Sequence, residues 1–400
     1  MKLLKVIIPG VTFGFAALFS VLVHASDAII PSAPQLSAEG YLLIDADSGK
    51  VLVEFNSRQR LPPASLTKMM TSYIAATELK RGTVRYNDQV RVSEEAWKLE
   101  GSRLFPMDWT WYQENGRSTA LKDVLYGVVV SSGNDAAAAL ATHIAGSEDV
   151  FADMMNRHAV RLGMSDTNFM NATGLPDENH YTTAEDLAKL TVALIKDFPE
   201  HYKIYKEKYF TFANERTRNR NVLLWRDPSV DGVKTGHTEA AGYCLVASAE
   251  RDGMRLISVV MGTASEEARA TESQKLLSYG FRYFETLHLY DAGDALKTVK
   301  VWGGDKDSVN VTVLDDVVIT IPRGSKNNLQ AAMDLGTVIK APLSEGQELG
   351  RLSVVIEGDT IADVPLSSDA AVDQAGFFKR LWDAIALFFV GLFGGDTLSV

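Results

Sequence analysis

A single cysteine, Cys244, among 400 residues leaves no partner for an internal disulfide, so the fold must rest on its hydrophobic core. The seven histidines show neither His-x-x-x-His nor His-Glu-x-x-His spacing, so the sequence offers no metal site and calls for no cofactor. Basic residues are the minority, 40 against 51 acidic, for a formal net charge of −11. That balance argues against nucleic acid or another polyanion as partner. Past the N-terminus, the apolar run 384–394 is too short to cross a bilayer, which takes about 20 residues.

What is present begins with Met1-Lys2-Leu3-Leu4-Lys5, an apolar stretch over 6–23, and Val23-His24-Ala25 before Ser26. This reads as a secretory signal over residues 1–25 with cleavage after Ala25. The apolar run is also long enough for an uncleaved anchor. Cys244 lies in Gly242-Tyr243-Cys244-Leu245-Val246-Ala247, a buried strand by its composition, so a structural thiol is expected rather than a reactive one.

Three fragments carry chemistry: Ser65-Leu66-Thr67-Lys68, Ser132-Gly133-Asn134 and Lys234-Thr235-Gly236. Ser-x-x-Lys on a helix places a hydroxyl and an amine on one face. An amine can take a serine proton only when its pKa is depressed, and the resulting alkoxide attacks carbonyls. Each fragment alone has a plainer reading: a helix cap for Ser65, a solvated helix residue for Lys68, an exposed strand lysine for Lys234. Ser325-Lys326-Asn327 also fits Ser-x-Asn and reads as a polar loop. Order and spacing decide for acyl transfer through a serine ester.

Two strands, 41–45 and 51–55, flank Asp47-Ser48-Gly49-Lys50 as a hairpin. Pro62-Pro63-Ala64 ends extended structure and Ser65 opens a helix, whose positive end would disfavour a protonated Lys68. A largely helical middle follows, with Ser132 at a break between helices, and Thr182-Thr183-Ala184-Glu185 as a capping box. Strands at 230–234, 243–249 and 256–261 complete one antiparallel sheet covered by helices, an α/β (α+β) arrangement. From about 289 short alternating runs predict a small all-β domain over 289–370. The expected catalytic unit is 26–288. Residues 374–394 form an amphipathic helix with Phe377, Phe378, Leu381, Trp382, Ile385, Phe388, Phe389, Leu392 and Phe393 on one face and Lys379, Arg380 and Asp383 opposite. It would lie on a membrane surface through 377–393, or else dock on the protein's own core.

These motifs, in this order, resemble the low-molecular-weight penicillin-binding proteins with D-alanyl-D-alanine carboxypeptidase activity, over nearly the whole chain after the signal. The resemblance implies a serine β-lactamase/DD-peptidase-like fold, peptidoglycan pentapeptide as substrate and β-lactam antibiotics as covalent inhibitors. It makes Ser65 the acylated nucleophile, Lys68 its base and Ser132 a proton relay, with Asn134 holding the substrate amide and Lys68. Lys234, Thr235 and Gly236 belong to the carboxylate-binding strand, with Lys234 and Thr235 as its ligands. The family's upstream arginine maps to Arg220, with Arg216, Arg218 and Arg226 close by. The backbone N–H groups of Ser65 and His237 would form the oxyanion hole, and nearby Lys234 would help depress Lys68. The implied place is the periplasmic face of a bacterial inner membrane. A β-lactamase is disfavoured because no Glu-x-x-Leu-Asn occurs between Asn134 and Lys234, where the chain reads Asn171-Ala172-Thr173-Gly174-Leu175-Pro176. A cross-link endopeptidase and a catalytically dead wall-synthesis scaffold are the remaining alternatives. Oligomeric state stays open, a homodimer included.

Overall fold

The computed structural model describes residues 30–114 and 118–399; the signal expected over 1–25 lies outside them. The central sheet is antiparallel throughout, with strands in the order Val51–Phe55, Gly40–Asp45, Met254–Thr263, Gly242–Arg251, Val230–Thr238. Alternation builds two layers of core from it. Leu42, Ile44, Val246, Ile257 and Val259 face a large helical layer, while Tyr41, Leu43, Leu245, Ala247 and Leu256 face the helix Glu266–Tyr283 through Leu276, Leu277 and Phe281. The strand bearing Lys234-Thr235-Gly236 is therefore an edge strand. Gly242–Arg251 joins Met254–Thr263 through Asp252 and Gly253, both at positive φ, which matches a two-residue hairpin turn.

The helix Lys68–Arg81 runs through the middle of the helical layer, and every residue from Lys68 to Ala76 is buried. Its polar side chains find partners inside. Thr71 Oγ1 donates to the Ala172 carbonyl at 2.7 Å, Ser72 Oγ meets His201 Nε2 at 2.7 Å, and Tyr73 OH donates to Asp197 at 2.7 Å. Burial pushes His201 down to about 4, so its ring is neutral near pH 7. The helix Ala184–Asp197 is capped by Thr183, whose hydroxyl accepts from Asp186 N. The cap sits one residue later than the box predicted, because Glu185 turns outward to Arg58 at 2.6 Å and Lys189 at 3.0 Å.

The β region starts at Phe284, directly after the helix ending at Tyr283, five residues before the boundary that the alternation suggested. Its five-stranded sheet orders Ala295–Lys300, Ser308–Thr312, Asp359–Ser368, Glu348–Ile356 and Leu329–Leu335, and Phe284–Tyr290 pairs with Val317–Pro322. Ser325–Asn328, expected as loop, is a short 3₁₀ turn. Buried Asp45 ties this region to the main sheet, accepting from Thr320 Oγ1 at 2.7 Å and from Thr286 Oγ1, while its other oxygen accepts Asp47 N at 2.9 Å. The terminal helix Phe377–Leu392 docks by its polar side: Lys379 pairs with Asp307 at 2.8 Å and Asp383 accepts Gly303 N at 2.8 Å. Its apolar side is turned outward, Phe378 at 85% and Trp382 at 71% exposure.

Replacing Asp45 leaves two hydroxyls and two backbone N–H groups without their acceptor. Asp45→Ala is expected to cost about 2–4 kcal/mol, read as a lower urea midpoint; an unchanged midpoint would refute this account of the junction.

Candidate active site

Three chain segments meet around two buried amines. Leu61 exchanges backbone hydrogen bonds with Thr182 (2.8 and 3.0 Å), which fixes the approach to Pro62-Pro63. Ala64 then takes a left-handed conformation, φ 47, before the 3₁₀ turn Ala64–Thr67 delivers Ser65 to the cleft and Lys68 to the first α-turn. Ser132 is also left-handed, φ 59, after the π-turn Gly127–Ser131. The break between helices is thus a strained residue that thrusts its hydroxyl out of the helical path.

Lys68, 1% exposed, has its Nζ 2.7 Å from Asn134 Oδ1, 2.6 Å from the Thr173 carbonyl and 3.0 Å from Ser65 Oγ. The first two are pure acceptors. A neutral amine spends its two N–H donors on them, and its lone pair is left for the Ser65 hydroxyl proton. Burial lowers Lys68 to about 7; the charge of Asp135 acts upward and Arg220 downward. The dominant cause is desolvation, in place of the helix end and Lys234 that the sequence suggested. Lys234 is 3% exposed and lies well below its ordinary value, first through burial and then through Lys68, Arg220 and Arg269. Its Nζ donates to Ser132 Oγ at 2.9 Å and to the Thr235 carbonyl at 3.1 Å.

A cleft of about 620 Å³ is lined by Ser65, Ser132, Asn134, Arg220, Thr235, Gly236 and His237, with Lys68 and Lys234 behind this surface. The His237 ring stacks on Tyr243, ring centroids 3.9 Å apart. Of the four arginines considered, Arg216 lies over Tyr209 (3.9 Å), Arg218 over Trp225 (4.2 Å), and Arg226 pairs with Glu267 (2.7 Å). Arg220 alone among them lines the cleft.

Sequence reasoning missed three supports. Asp135, fully buried, accepts the N–H groups of Leu104, Phe105 and Ala136 at 2.8–3.1 Å and so pins the segment whose Glu100 carbonyl receives Asn134 Nδ2 at 2.6 Å. Burial raises its carboxyl, and those N–H bonds pull it back. Arg269, 3% exposed, reaches from the helix Glu266–Tyr283 to the Gly236 carbonyl at 3.1 Å. Glu148 holds Ala172 N at 3.1 Å, ordering the loop that supplies the Thr173 carbonyl. A signal for Asp135 was available in its place directly after Asn134; Arg269 and Glu148 have none, since their partners are remote in sequence.

Comparison with known proteins agrees with this geometry. The D-alanyl-D-alanine carboxypeptidase family pattern matches residues 27–265, and the C-terminal domain of penicillin-binding protein 5 matches 284–374. The chain belongs to the D-alanyl-D-alanine carboxypeptidase family. It is 43% identical to the carboxypeptidase DacA of Haemophilus influenzae over 385 residues, 95% of this chain and 96% of the relative. Penicillin-binding protein 5 from Haemophilus influenzae superposes with a TM-score of 0.81 at 41% identity, covering 86% of this chain and 100% of the other. A D-alanyl-D-alanine endopeptidase of Escherichia coli is 30% identical over 63% of this chain and 80% of its own.

Two glycines have steric work to do here. A Cβ on Gly236 would lie 2.9 Å from the Pro63 carbonyl, and one on Gly174, φ +83, would lie 1.8 Å from the Ala64 carbonyl. Gly174→Ala must therefore push back the segment that aims Ser65. We expect at least a hundred-fold loss in the rate of acylation by penicillin, with circular dichroism of the sheet retained; a normal rate would show that the segment yields freely.

Proposed function

We propose that the protein is a serine-type carboxypeptidase that removes the terminal D-alanine from peptidoglycan pentapeptides through a Ser65 ester. The observation that carries this reading is the buried Lys68 amine, whose Nζ lies 3.0 Å from Ser65 Oγ while the Asn134 amide oxygen and the Thr173 carbonyl accept from it. Lys68 takes the hydroxyl proton as Oγ attacks the carbonyl between the two D-alanines. The oxyanion is received by the N–H groups of Ser65 and His237. Ser132, held by Lys234, relays to the leaving amine the proton that Lys68 took from Ser65, as the C–N bond breaks. Water then hydrolyses the ester and restores the hydroxyl. The substrate carboxylate is assigned to Thr235 and Arg220. Lys234 acts on it through Ser132, since its amine lies behind the cleft surface. Asn134, which lines the cleft, holds the substrate amide. A β-lactam forms the same ester and stays, because its leaving group remains tethered.

The loop 171–175 offers Lys68 a backbone carbonyl and no carboxylate to activate water, which favours a slow-deacylating enzyme over a β-lactamase. The match to carboxypeptidases along 95% of the chain, against 63% for the endopeptidase, favours terminal cleavage. We further assign the chain to the periplasmic face of the inner membrane, exported by the signal 1–25. Among the described residues no helix is long and apolar enough to cross a membrane. The terminal helix lies on the surface instead, its outward apolar face fitting the lipid interface while its polar face holds the β region.

Intact-mass analysis with penicillin and with diacetyl-Lys-D-Ala-D-Ala tests the reading. A stable adduct and released D-alanine are expected, both absent in Ser65→Ala; no adduct in the parent would end it. Because the base form of Lys68 is the deprotonated one, acylation should rise with pH, be half-maximal near 7 and level off above. A flat profile from pH 5 to 9 would remove Lys68 as base. For the helix, Phe388→Ser with Phe389→Ser should lower binding to anionic vesicles more than ten-fold, each buried Phe being worth about 1.5–3 kcal/mol; unchanged co-sedimentation would return the helix to a purely structural role.

A further inference from the structure

A cavity of about 400 Å³ lies at the seam between the terminal helix and the β region. One stripe of the helix walls it: Arg380, Asp383, Ala384, Leu387 and Phe388, spaced three or four apart and so stacked on one face. At 1.5 Å per residue the stripe is about 12 Å long. It runs between the polar face that Lys379 and Asp383 dock and the outward apolar face, to which Phe388, 65% exposed, already belongs. The facing wall comes from Trp302, Gly303, Lys340 and Ala341 of the β region. Backbone hydrogen bonds hold that wall together: Trp302 N donates to the Ile339 carbonyl at 2.9 Å and Ala341 N to the Trp302 carbonyl at 3.0 Å. The Trp302 indole is fixed as well, its Nε1 donating to the Thr397 carbonyl at 2.8 Å. The cavity thus has its shape before any ligand arrives.

Its charged groups keep capacity for a ligand. Arg380 gives one N–H to the Gln374 side-chain oxygen at 2.9 Å, and among the described residues neither Arg380 nor Lys340 has a carboxylate in ion-pair contact. Asp383 accepts Gly303 N through Oδ2 at 2.8 Å, and among the described residues no hydrogen bond uses its Oδ1. Two cations and one carboxylate therefore share a cavity whose helical wall is polar at Arg380 and Asp383 and apolar at Leu387 and Phe388. A guanidinium fork matches phosphate oxygens, and a carboxylate oxygen suits an ammonium that still carries N–H donors.

We propose that this cavity binds the headgroup of one membrane phospholipid, with its phosphate at Arg380 and Lys340, a primary ammonium at Asp383, and its acyl chains leaving past Leu387 and Phe388. The inference rests on the assignment of the terminal helix to the lipid surface. A trimethylammonium headgroup keeps the phosphate contacts and has no N–H for Asp383. A glycerol headgroup offers that carboxylate only neutral hydroxyls. A lipid held here also fixes the roll of the helix about its axis, and the β region with it, through the contacts of Lys379 and Asp383.

Calorimetric titration of the full chain with dihexanoyl phospholipids, below their micelle concentration, tests the site. Saturable binding of one phosphatidylethanolamine per chain is expected, about five-fold tighter than phosphatidylcholine or phosphatidylglycerol, the upper range for a solvent-accessible ion pair. Glycerophosphoethanolamine and inorganic phosphate separate a lipid site from a site for free phosphate; both should bind at least ten-fold more weakly, since neither reaches Leu387 and Phe388. Lys340→Ala with Arg380→Gln should abolish saturable binding. Asp383→Asn keeps an oxygen for Gly303 N and should leave phosphatidylethanolamine no better than phosphatidylcholine; the comparison of lipids within one variant needs no correction for the amount folded. Phosphatidylcholine or phosphatidylglycerol bound as tightly by the parent, inorganic phosphate bound as tightly as the lipid, or a preference that survives Asp383→Asn overturns the site. Co-sedimentation with vesicles separates that failure from failure of the helix assignment: with vesicles bound and no headgroup preference, the lipid-facing helix stands and the site falls, and with neither vesicles nor short-chain lipid bound both fall.

Discussion

Two primary amines, Lys68 Nζ and Lys234 Nζ, are buried side by side in this fold, and among the described residues neither has a carboxylate in ion-pair contact. An ammonium in such a place is costly, so the amines shed protons readily, and what remains to be met is hydrogen bonding. Lys68 needs the Asn134 amide oxygen and the Thr173 carbonyl; Lys234 needs Ser132 and the Thr235 carbonyl. Those acceptors come from three separate stretches of chain, 132–134, 173 and 235. Each must approach to within about 3 Å, and that demand explains the small residues around the site: Gly174 against the Ala64 carbonyl, Gly236 against the Pro63 carbonyl. Catalytic basicity and backbone packing are thus one constraint.

The second layer fixes the acceptors. Asp135 satisfies its carboxylate with backbone N–H groups and is an anchor for the segment over Asn134, more than a counter-ion for Lys68. Arg269 closes the opposite side, its guanidinium on the Gly236 carbonyl and above the Tyr243 ring at 5.6 Å. That stack sets His237 against Tyr243. The edge strand is therefore held from the side facing away from Ser65, and its free edge stays open to an extended ligand.

Much of this was legible in the sequence, for identifiable reasons. Motif residues were found because a helix brings positions three apart together and because the three fragments recur in a set order. The apolar run Tyr41-Leu42-Leu43-Ile44 marked a strand, whereas its two faces, Leu42 and Ile44 toward the helical layer and Tyr41 and Leu43 toward the opposite one, follow from the sheet. What stayed hidden depends on contacts between distant positions. Arg269 sits on a helix whose neighbours Glu266 and Glu267 mark it as a surface element, and its burial follows only from the strand beneath it. Glu148 and Asp45 are ordinary acids until the loops they tie are known. The cap on Ala184–Asp197 moved one residue because two adjacent threonines both qualify by sequence, and Arg58 and Lys189 drew Glu185 away. For the terminal helix periodicity gave the two faces, whereas the inward choice was made by Asp307 and the Gly303 N–H, far upstream.

The arginine that the proposed reaction assigns to the substrate carboxylate, Arg220, also acts on the amine proposed as base. Arg220 is among the charges that lower Lys68, with Asp135 acting against it. In the proposed complex a substrate carboxylate sits at Arg220 and cancels much of its field at Lys68. The amine then becomes a stronger base at the moment Ser65 is to lose its proton, and the resulting ammonium is less disfavoured. Before binding, burial does most to lower Lys68 and Arg220 adds to it. Recognition of the terminal carboxylate and activation of the nucleophile are in this way linked through charge alone, without any movement of the chain, and a peptide lacking that carboxylate would forfeit rate as well as affinity.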